Sequence, residues 1–207
     1  MSHRLEEFSD IEFDVLKEIS NIGAGNATTA ISQMMGIKMN MDVPVIKFLE
    51  FKELAESIGG AENTVVGILF GLERDIDGMM MFVMDCDSAK SVISGILHVE
   101  EPADAEFSEM GLSVLQEMGN IIAGSYLSAI SALTNLSIAP TVPYMSVDMA
   151  GAILSVPAIE YGKVSDKALL IRSEFGDDTM TVDGYFILVP TLDAFEKIFA
   201  SLGLSTL

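Results

Sequence analysis

Residues 14–44 read DVLKEISNIGAGNATTAISQMMGIKMNMDVP, and residues 113–143 read SVLQEMGNIIAGSYLSAISALTNLSIAPTVP. The second segment repeats the first at an offset of 99 residues, and four motif positions match: Asp14 with Ser113, Glu18 with Glu117, Asn21 with Asn120, and Pro44 with Pro143. Because both copies keep a carboxylate and a carboxamide three residues apart, the repeat predicts two equivalent sites. We expect one domain over residues 1–207, built of two repeats at about 7–99 and 106–205.

Each repeat opens with a long helical pattern. Ser9 and Glu12 form an S-x-x-E capping box, which predicts a helix from residue 9 to about residue 35 that ends at Gly36. The repeat predicts a second helix at 108–134. One face of the first helix is apolar, and we expect this stripe to face the core: Val15, Ile19, Ile22, Gly23 and Ala30.

Glu18 and Asn21 lie well over a right angle from that apolar stripe on a wheel of about 100° per residue. We therefore expect their side chains to lie next to each other in solvent, and the offset of 99 gives Glu117 and Asn120 the same arrangement. An isolated Glu and Asn on an exposed helix are usually only a solvated surface. Two copies at one offset, each followed by a proline, favour a functional interpretation.

The rest of each repeat follows the order strand, strand pair, helix. The predicted elements are strands at 41–51, 65–72 and 78–84 with a helix at 88–97, then strands at 138–147, 167–175 and 181–189 with a helix at 193–202. Residues 100–104 are the predicted linker, and 149–159 are a predicted helical insertion. This order predicts an α/β (α+β) fold with internal pseudo-two-fold symmetry.

The chain has 31 acidic and 11 basic residues, a net charge of −20. This balance argues against nucleic acid or an anionic membrane as a partner, since both require a basic surface. No apolar segment is long enough to predict a membrane span, and the single cysteine, Cys86, allows no intrachain disulfide. We expect a cytoplasmic protein without membrane insertion.

Few other residues offer chemistry. His3, His98 and Cys86 have no partners at ligand spacing, so we predict no metal site. Gly23-Ala24-Gly25-Asn26 lacks the preceding strand and the following Lys-Ser/Thr of a phosphate loop, so we expect these glycines to leave room for another element or a partner. The remaining carboxylate and amide suffice only if a partner brings an acyl phosphate, a metal and a lysine. The amide then orients a water for in-line attack, and the carboxylate pairs with the lysine.

The sequence resembles the CheC family of chemotaxis phosphatases, which includes CheX and the CheC-like part of FliY. The family signature is D/S-x3-E-x2-N-x22-P, and both copies here match it in full. The resemblance implies a fold with two long exposed helices packed over a β-sheet. It also implies dephosphorylation of a CheY-type response regulator in two-component signalling, with Glu18 and Glu117 at the regulator's lysine and Asn21 and Asn120 orienting water.

By the same resemblance the chain binds no cofactor of its own, and Mg²⁺ belongs to the regulator. CheD, a receptor deamidase, is a further implied partner, with Asp148 in the implied docking region. Two alternatives remain open: a non-catalytic CheD-binding adaptor, and a flagellar switch scaffold of the FliM or FliY type.

Overall fold

The computed structural model describes residues 9–99, 106–161, 167–176 and 181–204. The helices in this part are α1 (Asp10–Met35), α2 (Phe51–Ser57), α3 (Cys86–Leu97), α4 (Glu109–Thr134), α5 (Ala150–Tyr161) and α6 (Leu192–Ser201). The strands are β1 (Asn40–Met41), β2 (Val45–Glu50), β3 (Thr64–Arg74), β4 (Gly78–Asp85), β5 (Ile138–Pro140), β6 (Tyr144–Met149), β7 (Lys167–Gly176) and β8 (Thr181–Pro190). The predicted linker at 100–104 lies outside the described residues.

All eight strands join one antiparallel sheet in the order β1-β7-β8-β4-β3-β5, with β2 also paired to β7 and β6 to β3. The hairpins β3–β4 and β7–β8 meet at the centre, where β4 pairs with β8. Each half thus sends its first strands across to the hairpin of the other half. The predicted mixed fold with two equivalent halves is confirmed, while the repeat boundaries at 7–99 and 106–205 stay a prediction.

The sheet separates two apolar cores, because alternate side chains of a strand point to opposite faces. On β4, Met80 and Phe82 pack in the core under α1, α3, α4 and α6. Met79 and Met81 pack on the other face, under α2 and α5. A strand buried on both faces reads as a continuous apolar run, which is why this one carries three methionines in a row.

The ends of both long helices follow from local sequence. Ser9 caps α1, and the Ser9 and Glu12 side chains make the reciprocal bonds of the predicted capping box. Gly36 then ends α1 in the left-handed conformation with φ 68°. On α4, the Ser108 hydroxyl accepts from the Gly111 amide, and Asn135 ends the helix with φ 57°.

Two predicted strands are wrong in detail, because each is interrupted at a proline. The single strand predicted at 41–51 is β1 and β2 with a break at 42–44, and the one predicted at 138–147 is β5 and β6 with a break at 141–143. At each break, three residues lie opposite two residues of the paired strand, and this one extra residue makes a β-bulge. Pro44 and Pro143 occupy these bulges, where a missing N–H donor costs no ladder bond.

One helix was not predicted. Residues assigned to the end of the first strand begin α2 at Phe51, where the Glu53 carboxylate accepts from the Glu50 amide over 3.0 Å. Its counterpart α5 begins 99 residues later, at Ala150, and is five residues longer. The helix predicted at 149–159 is therefore confirmed, but its prediction as an insertion is wrong, because α2 occupies the same place in the first repeat. None of the described helices is long and apolar enough to cross a membrane.

Candidate functional site

The two Glu–Asn pairs lie on the outer faces of the long helices. Glu18 and Asn21 are exposed on α1, and Glu117 and Asn120 are exposed on α4. In the second pair the Asn120 amide lies 3.5 Å from the Glu117 carboxylate. The predicted exposure is confirmed, and each helix presents an acid and an amide to solvent within one turn.

The apolar stripe predicted for α1 is only partly right. Ile19 and Gly23 are buried, but Val15, Ile22 and Ala30 are only half-buried. The buried face is turned by about one residue, toward Leu16, Ser20, Ala24, Ala27, Thr28, Ile31 and Met35. The five stripe positions read from the sequence miss this turn, because α1 packs against both α4 and the sheet. The shift leaves Glu18 and Asn21 on the side away from the core.

Buried residues on the opposite face fix the position of each pair. Leu16 is 2% exposed on α1, and its repeat partner Leu115 is fully buried on α4. The buried Ser20 hydroxyl donates to the Leu16 carbonyl over 2.7 Å. Gly119, the repeat partner of Ser20, allows α4 to approach β3, since a Cβ there would lie 2.8 Å from Ile68 Cδ1. Packing on the inner face therefore sets where each motif helix lies.

α1 and α4 touch at Gly23 and Tyr126. A Cβ on Gly23 would lie 2.7 Å from Tyr126 Cδ1 and 3.1 Å from Tyr126 Cα, so only glycine permits this crossing. The Tyr126 ring stacks on Phe186 with centroids 3.9 Å apart, and its hydroxyl lies 3.3 Å from Ser173 Oγ. Burial raises the pKa of Tyr126 to about 12. The predicted role of Gly23, room for another element, is confirmed.

Tyr126 is the structural residue that sequence reasoning missed. Its repeat partner is the small Ala27, so the offset of 99 gave no reason to examine it. The available signal was an aromatic residue on one helix at a position that is small on the other. This exchange lets the tyrosine ring fill the space that Gly23 leaves open.

The first motif position differs between the two copies. Asp14 is exposed and pairs with Lys17 over 3.2 Å. Ser113 is also exposed, but its hydroxyl donates back to the Glu109 carbonyl over 3.0 Å. An exposed pair of this kind contributes little to stability, about 0–1 kcal/mol. Asp14 and Ser113 therefore make different contacts, although they occupy the same position of the motif.

Asp148, the residue implied in CheD docking, lies on β6 and not on a motif helix. Its side chain is exposed and accepts from the Met149 amide over 2.7 Å. β6 pairs with β3, and its neighbourhood carries several exposed apolar residues: Val142, Tyr144, Val147, Met149, Val156 and Ile159.

Metal-ligating residues do not gather in the described part of the chain, where no group of three His, Cys, Asp or Glu side chains could hold an ion. Asp85 caps α3 by accepting from the Ser88 amide over 2.7 Å, as its place before a helix predicts. His98 ends the same helix with φ 54°. The functional groups at each Glu–Asn pair are therefore a carboxylate and an amide.

Comparisons with known proteins agree with the motif. The model of the CheC-like family matches residues 11–48 and 110–146, which contain both Glu–Asn pairs and both prolines. The CheY-P phosphatase CheC of Bacillus subtilis (strain 168) is 36% identical over 198 residues, covering 94% of this chain and 95% of that protein.

Two solved structures share the fold. FliY from Thermotoga maritima superposes with a TM-score of 0.75 at 18% identity, over 95% of this chain and 98% of that one. CheX in a complex with CheY, BeF3 and Mg²⁺ from Borrelia burgdorferi gives a TM-score of 0.52 at 21% identity, over 81% and 95%. Given the extent of its identity to the Bacillus protein, this chain belongs to the CheC-like family.

Proposed function

We propose that this protein hydrolyses the aspartyl phosphate of a phosphorylated CheY-type response regulator, and so regulates chemotaxis signalling. The observation that carries the proposal is the pair of exposed Glu–Asn sets, at Glu18 and Asn21 and again at Glu117 and Asn120. The Bacillus relative that is similar over nearly its whole length is named a CheY-P phosphatase. The proposed reaction takes place in the cytoplasm.

The amide is the proposed water-orienting group. Asn21 or Asn120 enters the regulator's phosphorylation site, and its side-chain oxygen accepts a hydrogen bond from a water in line with the phosphorus–oxygen bond. The water oxygen bonds to phosphorus, the aspartate carboxylate leaves, and inorganic phosphate carries the water's protons. Positioning of this kind is the main contribution that a protein makes to phosphoryl transfer.

The carboxylate is the proposed docking group. Glu18 or Glu117 pairs with the lysine beside the regulator's phosphate, and this charge-assisted bond sets the depth to which the amide enters. Both carboxylates are solvent-exposed before binding, so the pair gains strength only when the interface excludes water. The buried Leu16 and Leu115 anchor the opposite face of each helix and so hold the acid and amide in place.

Mg²⁺ is proposed to arrive with the regulator. The two Glu–Asn sets supply one carboxylate each, which is too few ligands for a resident ion. In the complex similar to this chain in fold, Mg²⁺ accompanies CheY and BeF3. When bound, the ion would neutralise developing charge on the phosphoryl oxygens, while this chain orients the water.

CheD is proposed as a second partner on a separate surface. Asp148 is exposed on β6, and the same strand carries the exposed apolar side chains of Tyr144 and Met149, which is a composition suited to a protein interface. This surface does not include the Glu–Asn sets. Loss of CheD binding in Asp148→Lys, with phosphatase activity kept, would support this assignment, and unchanged binding would refute it.

The proposed reaction is tested by phosphate release from a phosphorylated regulator. We expect Asn21→Ala and Asn120→Ala each to keep part of the activity, since each leaves one site intact. The double variant should lose on the order of 100-fold or more, the usual cost of removing a positioned hydrogen-bonding group from a reaction centre. Asn26→Ala is the matched control, because Asn26 is an exposed asparagine on another face of α1.

The results separate the alternatives. Unchanged phosphate release in the double variant would refute the phosphatase assignment and favour an adaptor or switch scaffold. Full loss in one single variant with none in the other would leave one working site. Melting temperatures should match the unaltered protein in all four variants, because the substituted side chains are exposed.

A further inference from the structure

Gly25 and Gly124 are glycines inside long helices that nothing within this chain explains. Glycine in a helix interior is less stable than alanine, so a glycine that persists there normally allows a close contact. The other described helical glycines make such contacts, with a neighbouring atom 2.6–3.2 Å from the place of a Cβ: Gly23, Gly95, Gly111, Gly119 and Gly151. At Gly25 and Gly124 no such atom lies within 4 Å.

The two open glycines occupy equivalent places beside the two proposed sites. Gly25 follows Asn21 by four residues, and Gly124 follows Asn120 by four, so each lies one turn beyond an asparagine on the same helix face. Both helices thus keep the order Glu, Asn, Gly on their solvent side. The close contact that would explain these two glycines must therefore be made by another molecule.

Side-chain direction in a helix explains which space is kept free. Helical side chains lean toward the N-terminus, so a residue covers the turn that precedes its own Cα. A side chain at Gly25 would therefore lean over Asn21, and one at Gly124 over Asn120. Without a side chain there, the flank of each amide stays open to an approaching surface.

We propose that Gly25 and Gly124 are clearance residues, which let the surface around the regulator's phosphoaspartate approach the helix backbone beside Asn21 and Asn120. This inference rests on the proposed phosphatase function and adds a positioning requirement to it. The occupant is the regulator itself, because the cleared space borders the amide that must enter its phosphorylation site. The glycines take no part in the bond exchange.

The test uses full-length protein with one working site. Gly25→Ala and Gly25→Leu are made in the Asn120→Ala background, and Gly124→Ala and Gly124→Leu in the Asn21→Ala background. Gln33→Leu is the bulk control, since Gln33 is exposed on α1 two turns from Gly25. Three quantities are measured: the melting temperature, kcat and KM for phosphate release, and the affinity for a beryllofluoride-activated regulator.

We expect each alanine variant to melt higher than its background and to have a raised KM. Leucine should raise KM and weaken regulator binding by on the order of tenfold or more, with kcat changed far less, because a blocked approach weakens the binding of ground state and transition state alike. Gln33→Leu should leave both quantities unchanged. A rise in stability combined with weaker binding is not produced by damage to the fold.

Other outcomes overturn the inference. Unchanged KM and affinity in the leucine variants would show that the regulator does not approach these positions. A lower melting temperature in the alanine variants would show that the glycines serve the fold. In either case the single-site backgrounds still release phosphate faster than the double asparagine variant. A failure of the phosphatase function gives a different result, because the backgrounds and the double asparagine variant would then release phosphate at the same rate.

Discussion

The same substitution at two glycines of α1, only two residues apart, should change stability in opposite directions. In Gly23→Ala the new Cβ meets Tyr126 Cδ1 at 2.7 Å and Tyr126 Cα at 3.1 Å. The ring cannot turn aside, because it stacks on Phe186, and the Cα belongs to the backbone of α4. In Gly25→Ala the Cβ meets nothing within 4 Å.

The magnitudes follow from two effects. Replacing an interior helical glycine with alanine stabilises the helix by about 1 kcal/mol, and this gain applies to both variants. Overpacking a tight contact costs about 1–3 kcal/mol, and this cost applies only at Gly23. Since neither the ring nor the backbone of Tyr126 can yield easily, the cost should lie in the upper part of that range, about 2–3 kcal/mol, and less the helical gain this leaves a net loss of about 1–2 kcal/mol for Gly23→Ala. Gly25→Ala should gain about 1 kcal/mol.

Urea denaturation followed by far-ultraviolet circular dichroism measures both free energies of unfolding. The midpoints should move in opposite directions at an unchanged m value, because neither change alters the surface exposed on unfolding. Adding Tyr126→Ala to Gly23→Ala should cost less than Tyr126→Ala alone, since the ring part of the clash is then absent. Equal stabilisation by both glycine substitutions would refute the close crossing of α1 and α4.

Three further predictions concern the core, the pH dependence and the metal. Leu115→Ala should cost about 2–5 kcal/mol, because the side chain is fully buried beneath the second Glu–Asn set; a loss under 1 kcal/mol by urea denaturation would contradict this packing. The Tyr126 hydroxyl has a pKa of about 12 in the folded chain and about 10 in the unfolded chain. The free energy of unfolding that its burial contributes is therefore complete below pH 10 and is lost as pH rises through 12. Denaturation at several pH values should show this fall, and Tyr126→Phe should make it smaller, leaving the contributions of Tyr185 and Lys197, whose pKa values are also raised. Chelation with EDTA should stop phosphate release from the regulator but leave the melting temperature of this chain unchanged, since its described residues offer no metal cluster; a lowered melting temperature would indicate a resident ion.

The two Glu–Asn sets are held by different internal contacts although they match in sequence. α1 uses the buried Ser20 where α4 uses Gly119, and α1 uses Gly23 where α4 has a large side chain. The Glu, Asn and Gly of the outer face are identical in both copies. A partner that binds both helices in the same way would preserve the outer face, while each inner face adapts to its own neighbours.

The sequence by itself was sufficient for the exposure of Glu18, Asn21, Glu117 and Asn120. It also predicted most of the order of elements, but it missed α2 and the strand breaks at 42–44 and 141–143. Local signals carry this information: capping residues mark where helices begin and end, and a periodic pattern marks which side faces solvent. The matched offset of 99 then extended one analysis to both halves. These features depend on residues within a few positions of one another, so no knowledge of distant contacts was required.

Only the tertiary structure decided which strands meet and what the glycines do. The pairing of β4 with β8, the bulges at Pro44 and Pro143, and the turn of the α1 core face depend on partners far away in sequence. Gly23 and Gly25 look alike in the sequence, yet a Cβ on Gly23 would meet Tyr126 and a Cβ on Gly25 would meet nothing within 4 Å. The difference arises because a helix packs on one side only, and the position of its neighbour is a property of the whole fold.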